Sequence, residues 1–184
     1  MKTWVSILGT LSCATALMMS GCATPAQSSA MTSAPMLAPV HRNAADVGIQ
    51  VTGGSETSAV GASQISNENF SKALADSIVQ SGLFAHAGPG VSGRYELNAF
   101  ISRLSQPMVG FSMTVTMEVG YTLVDNQSHQ AVWRKSITSQ HTAAVSDAFA
   151  AVTRLRLATE GAAKENIQSL LRELGQLTLV TPPK

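Results

Sequence analysis

The sequence predicts an α+β fold: a two-layer sandwich in which a mainly antiparallel sheet is covered by two helices, in the order β, α, β, β, β, α. Three observations predict it. Phe111, Met113, Val115, Met117, Val119, Tyr121 and Leu123 alternate without a gap against Ser112, Thr114, Thr116, Glu118, Gly120 and Thr122, the period of a strand buried on one face. Two further segments switch to the helical period. Phe70, Leu74 and Ile78 recur every fourth residue, and Val152, Leu155, Ala162, Ile167, Leu170, Leu171 and Leu174 form one stripe. Strands that are apolar on one face need a cover, which two amphipathic helices on the same side supply.

Taken in order, the chain opens with a targeting element. Lys2 gives a positive start, and Trp4 to Met19 is apolar, rich in small residues and uncharged. A helical span needs about 20 predominantly apolar residues. This run is shorter and breaks into Ser20-Gly21-Cys22 and then Thr24-Pro25, so residues 1–21 are expected to be a signal peptide.

Met19-Ser20-Gly21-Cys22 resembles the lipobox of bacterial lipoproteins. That resemblance implies cleavage before Cys22 by signal peptidase II, with the Cys22 thiol carrying diacylglycerol and the mature form three acyl chains. Met19 departs from the usual Leu, Val or Ile, but is apolar and close to Leu in volume. Cysteine usage agrees. Of the two cysteines, Cys13 leaves with the leader, and a thioether at Cys22 consumes the other, so no stray thiol meets an oxidising compartment. Each buried methylene contributes about 0.8 kcal/mol, so several chains make a lasting anchor. Ala23 follows Cys22, and by the sorting rule of enteric lipoproteins the absence of Asp there implies the periplasmic face of the outer membrane.

Cleavage leaves 163 of the 184 residues, enough for one domain. Lys2 is the one basic residue lost, leaving 11 basic against 11 acidic groups. A balance near zero argues against a nucleic-acid partner, which calls for a clustered basic excess. Residues 22–45 are rich in Ala, Ser, Thr and Pro, and are expected to form the lipidated N-terminus and a flexible linker. Such a linker would hold the domain about 25 Å from the membrane. The α+β domain is expected over 46–177, with a short tail over 178–184.

Within that domain, Val47, Ile49 and Val51 alternate with Gly48 and Gln50 as the first strand. The Gly-rich loop that follows lacks the Lys-Ser or Lys-Thr pair and the spacing of a nucleotide-binding fingerprint. Ser66 is placed to cap the first helix, Glu68 favours its N-terminal dipole, and Gly82 ends it, after which Leu83 and Phe84 turn back toward the core. Residues 85–93 form a loop by their Gly and Pro content. Tyr95, Leu97, Ala99 and Ile101 share one face of the second strand. The Phe111–Leu123 strand is the third, and after the turn DNQSHQ, Ala131, Trp133 and Ile137 carry the fourth, ending near His141. The last helix is expected from Ser146, its cap, to about Leu174, with Glu160 and Lys164 spaced for an ion pair on the wet side. Gly161, Ala162 and Ala163 suggest close approach to the sheet, at a cost in helix propensity of about 1 kcal/mol for the glycine.

This element order, behind a lipidated cysteine and a Ser/Pro linker, is similar to small periplasmic lipoproteins of the YajG and LptE kinds. The resemblance implies a binding or assembly role in the cell envelope and transfers no functional residue.

No catalytic, cofactor or metal site is expected. His41, His86, His129 and His141 are the four histidines, and no pair has zinc-site spacing. No Gly-x-Ser-x-Gly elbow occurs. Asp147, Glu160 and Glu165 share the last helix, but at these spacings they read as a solvated face. Arg154 and Arg156 could engage a phosphate or an acidic partner; the commoner role of such arginines is to snorkel along a helix flank. Cys22, as the lipidation site, is therefore the one site residue. The expected partners are the membrane, through that lipid, and an envelope protein or lipid met at an open sheet face or edge. The alternatives are an envelope enzyme acting on lipid or glycan, and an oligomeric secretion or pore component using the Phe111–Leu123 strand. Arg94, Arg103, Arg134 and Lys135 on neighbouring strands count against the pore.

Overall fold

The computed structural model describes residues 23–34, 45–58 and 61–179. Five strands make one sheet: β1 (Val47–Thr52), β2 (Ala87–Gly88), β3 (Tyr95–Ser105), β4 (Met113–Asp125) and β5 (Gln130–Ala143). Their spatial order is β2-β1-β3-β4-β5. The long strands β3, β4 and β5 form an antiparallel meander, whereas β1 is parallel to β2 and β3. A parallel pair needs a crossover, and α2 (Asn67–Ser81) supplies it between β1 and β3. Helix α2 packs on β1 and β2 while α3 (Ala151–Leu174) packs on β4 and β5. The expected two-layer α+β architecture is what the chain adopts. Its extra strand, β2, pairs two residues of the segment read as a loop with Val47 and Gly48.

β4 realises the alternation seen in the sequence, with every second residue buried from Met113 to Asp125. Val115, Met117, Val119, Tyr121 and Leu123 form the floor of the core. Phe111 does not belong to the strand. It stands in the β3–β4 loop, 86% exposed, one residue after Gly110 turns the backbone at φ 153°.

The ends of α2 follow from local chemistry. The Ser66 hydroxyl accepts from the Asn69 N–H at 3.2 Å, and Gly82 stops the helix in the left-handed conformation at φ 67°. Helix α3 starts later than its sequence suggests. Its N-cap is Ala150, because Ser146 and Asp147 are spent on a turn in which an Asp147 carboxylate oxygen accepts from the Ala144 N–H at 2.7 Å.

A buried polar network joins α3 to the sheet. The Tyr121 hydroxyl donates to Asn166 Oδ1 at 2.8 Å, and Asn166 Nδ2 donates to the Ile137 carbonyl at 2.8 Å and to Ser139 Oγ at 3.1 Å. Ser139 Oγ donates in turn to the Ala162 carbonyl at 2.7 Å. Every member is partnered, as a buried network must be. Burial alone pushes the Tyr121 phenol far above its ordinary pKa. Gly161 serves the close approach its sequence suggests, but to a side chain: a Cβ there would overlap the His141 ring, whose Nδ1 lies 2.7 Å from Glu165 Oε1.

The flexible-linker expectation for residues 22–45 does not hold over 23–34. Ala26, Met31 and Ser33 are fully buried, and a one-turn helix, α1 (Ser28–Met31), packs between α2 and α3. The polar backbone that a solvated linker would leave to water is met by side chains instead. Glu160 accepts from the Gln27 N–H at 3.0 Å, Asn69 Nδ2 donates to the Ala26 carbonyl at 3.0 Å, and Ser77 Oγ accepts from the Ser33 N–H at 2.9 Å. This docking buries Glu160, placed by its spacing on a wet face with Lys164; its neighbouring cation is Arg156, at 3.9 Å. Cys22 and residues 35–44 lie outside the described residues.

Candidate functional site

One cleft follows from the shortness of β2. That strand covers β1 at Val47 and Gly48 only, so among the described residues no strand flanks Ile49 to Thr52 on this side. Between that uncovered stretch and α2 runs a groove of about 630 Å³. Ile49, Val51, Ala75 and Ala87 give it an apolar floor, and Asn67, Glu68, Ser71, Lys72 and Asp76 form its polar wall along α2. Lys72 Nζ lies 3.2 Å from Asp76 Oδ2, one helical turn on, so the rim carries a neutralised pair with Glu68 beside it. Ser71 Oγ is buried and has no hydrogen-bond partner among the described residues. A buried hydroxyl without a partner is costly in a finished core. The hydroxyl lies beneath the wall that Ser71 gives the groove, with almost no surface of its own.

Chemically, this arrangement suits an extended polypeptide: strand backbone that no other strand flanks, and an apolar floor for alternate side chains. The outer face of the sheet is open as well. Thr52, Asn98 and Thr122 line a shallow depression of about 160 Å³ over Gly120, bordered by Phe100. Of the two, the groove at the edge is the larger.

Other residues singled out in the sequence are not brought together. His86 pairs with Asp46 at 2.8 Å, His129 sits in the β4–β5 turn at φ 55°, His141 pairs with Glu165, and His41 lies outside the described residues. Asp147, Glu160 and Glu165 have separate partners. Arg154 neither snorkels nor faces solvent. Its guanidinium is turned inward, donating to the carbonyls of Ala148 and Phe149 at 2.9 and 2.6 Å, and to that of Gly110 at 3.4 Å. Ser71 and the Lys72–Asp76 pair were not recognisable beforehand, since nothing in the sequence shows that the segment after α2 pairs for two residues only.

No family model matches the chain, and no curated protein matches it. Solved structures are similar to it to different degrees. A Xanthomonas campestris protein of family DUF330 is 12% identical with a TM-score of 0.59, over 79% of this chain and 92% of that one. A minor lipoprotein from Acinetobacter baumannii is 6% identical with a TM-score of 0.46, over 71% and 91% of the two chains. The PelC dodecamer subunit from Paraburkholderia phytofirmans is 17% identical with a TM-score of 0.47, over 77% and 93%. At these identities the likeness to the Xanthomonas protein is one of architecture.

Proposed function

We propose that this chain is a lipid-anchored lipoprotein of the Gram-negative cell envelope, held by acyl chains on Cys22 at the periplasmic face of the outer membrane. There it binds an extended segment of another envelope protein by strand addition to β1. The uncovered edge from Ile49 to Thr52, beside a groove with an apolar floor, is the observation that carries the binding role. The anchor rests on the uncharged apolar run and on Met19-Ser20-Gly21-Cys22. The role is binding or assembly, with no catalytic step, no cofactor and no nucleic-acid partner.

Photo-crosslinking in intact cells tests the binding role. A crosslinking residue in place of Lys72, at the groove rim, is expected to trap a discrete protein adduct that Val51→Lys, which puts a charge on the groove floor, weakens. The same residue in place of Arg134, on the opposite edge strand, should not trap it. Equal adducts at both positions, or none at Lys72, would refute the groove as the binding site. Intact mass of the mature chain tests the anchor separately: acylated Cys22 is expected, and Cys22→Ser should release the protein from the membrane fraction.

A further inference from the structure

Four large apolar side chains stand almost wholly in solvent: Met108 at 97%, Val109 at 84%, Phe111 at 86% and Phe149 at 94%. The other exposed large apolar residues among those described reach 55% at most. All four sit on two loops, β3–β4 and β5–α3, that leave the same end of the sheet. The loops are tied to each other. Buried Arg154 donates from one nitrogen to the carbonyls of Ala148 and Phe149, and from another to that of Gly110. A buried guanidinium spent on holding two solvent-facing loops side by side makes their tips one surface. Residues 106–112 carry no charge, and the carboxylate of Asp147 in the second loop is turned onto the Ala144 N–H.

The N-terminal segment leaves from this same end. Thr24 accepts through its carbonyl from Ser63 Oγ at 2.8 Å. The Ser63 carbonyl accepts from Gln106 Nε2 at 2.6 Å, and Gln106 also donates to Thr159 Oγ1 at 2.9 Å. Gln106 is the first residue of the β3–β4 loop. From Thr24 the chain runs away from the loops along α2, past Asn69 to Ser77. Two peptide units, about 7 Å at full extension, separate Thr24 from Cys22.

We infer that the tips carrying Met108, Val109, Phe111 and Phe149 dip into the acyl and headgroup boundary of the same bilayer that holds the Cys22 lipid. They dock this end of the domain against the membrane. The inference rests on the lipid-anchor reading for its setting. The occupant is a lipid surface because the tips are apolar, with no charge in residues 106–112 and the Asp147 carboxylate of the second loop held by the Ala144 N–H, because they are loop tips rather than a groove, and because their neighbour in space is the segment that leads to the anchor. Burying apolar side chains at a bilayer interface needs no specific partner.

Vesicle flotation with the unacylated mature chain, Cys22→Ser, isolates this contribution from the anchor. Vesicles of phosphatidylethanolamine and phosphatidylglycerol are expected to bind it, and the combined variant Met108→Ser/Phe111→Ser/Phe149→Ser should lower partitioning by about tenfold or more. These side chains contribute no core, so the variant's unfolding temperature is expected to stay unchanged. In a second variant, Phe111→Trp, the fluorescence should shift to the blue with vesicles and be quenched by lipids brominated in the acyl chains. Equal flotation of parent and triple variant, absence of flotation, or a concentration-dependent dimer abolished by the triple variant without vesicle binding would overturn the inference. Because the chain tested carries no lipid, a negative result leaves the anchor standing, and a missing acyl group on the cellular protein leaves the flotation result intact.

Discussion

Asp125 sits at the end of β4, where its carboxylate accepts from the Gln127 N–H at 2.9 Å and from the Arg94 guanidinium at 3.0 Å. The backbone hydrogen bond first, and the arginine with it, hold the Asp125 carboxyl below the usual carboxylate range. A carboxyl whose folded pKa is lowered stabilises the fold above its unfolded pKa of about 3.9, and that stabilisation is lost as the pH falls through the folded value. Denaturant unfolding at a series of acid pH values should therefore show the native chain losing its advantage over Asp125→Asn below about pH 4. At neutral pH, Asp125→Asn should be the less stable of the two. Parallel pH profiles for the two proteins would count against the pairing.

Helix α3 and strand β5 meet through a glycine. With His141 in place, an alanine methyl at Gly161 would overlap the imidazole, and the ring would have to leave α3 and give up Glu165. Without that ring, alanine in a helix interior is favoured over glycine by about 1 kcal/mol. Gly161→Ala is thus expected to stabilise the His141→Ala protein by about 1 kcal/mol and to bring no such gain when His141 is present, as a double-mutant cycle by urea unfolding would measure. The glycine and its two alanines announced close packing in the sequence, but not its partner, because His141 is far away in the chain. The elements themselves were legible wherever one period ruled: β4 through its alternation, α2 through Ser66, Gly82 and its four-residue spacing. Legibility failed where a distant contact decided. The two-residue β2 and the burial of Glu160 and Arg154 depend on segments that a local window does not contain, whereas the start of α3 moved through a local competition, Asp147 accepting from the Ala144 N–H in a turn. The groove along β1 was unreadable for the same reason, since it exists only where β2 stops.

At the scale of the whole molecule, the N-terminal segment acts as a clasp between α2 and α3. Met31 is fully buried there, and Met31→Ala should cost about 2–5 kcal/mol, the range for removing a large side chain from a core. Thermal unfolding would register this as a lower midpoint; an unchanged midpoint would show that residues 23–34 are not part of the folded unit. Their composition concealed this role, because Ala, Ser and Pro are common to solvated linkers and to segments that thread between helices.

The Gln27 N–H and Glu160 meet across 133 positions, and that separation bears on when folding can finish. A ribosome emits the clasp 133 residues before its acceptor. Pairings so remote along the chain form slowly, because ordering the intervening loop precedes any reward. Until α3 emerges, both the clasp and the apolar side of β4 lack their cover. The nascent polypeptide is thereby kept from closing prematurely, and closure awaits α3.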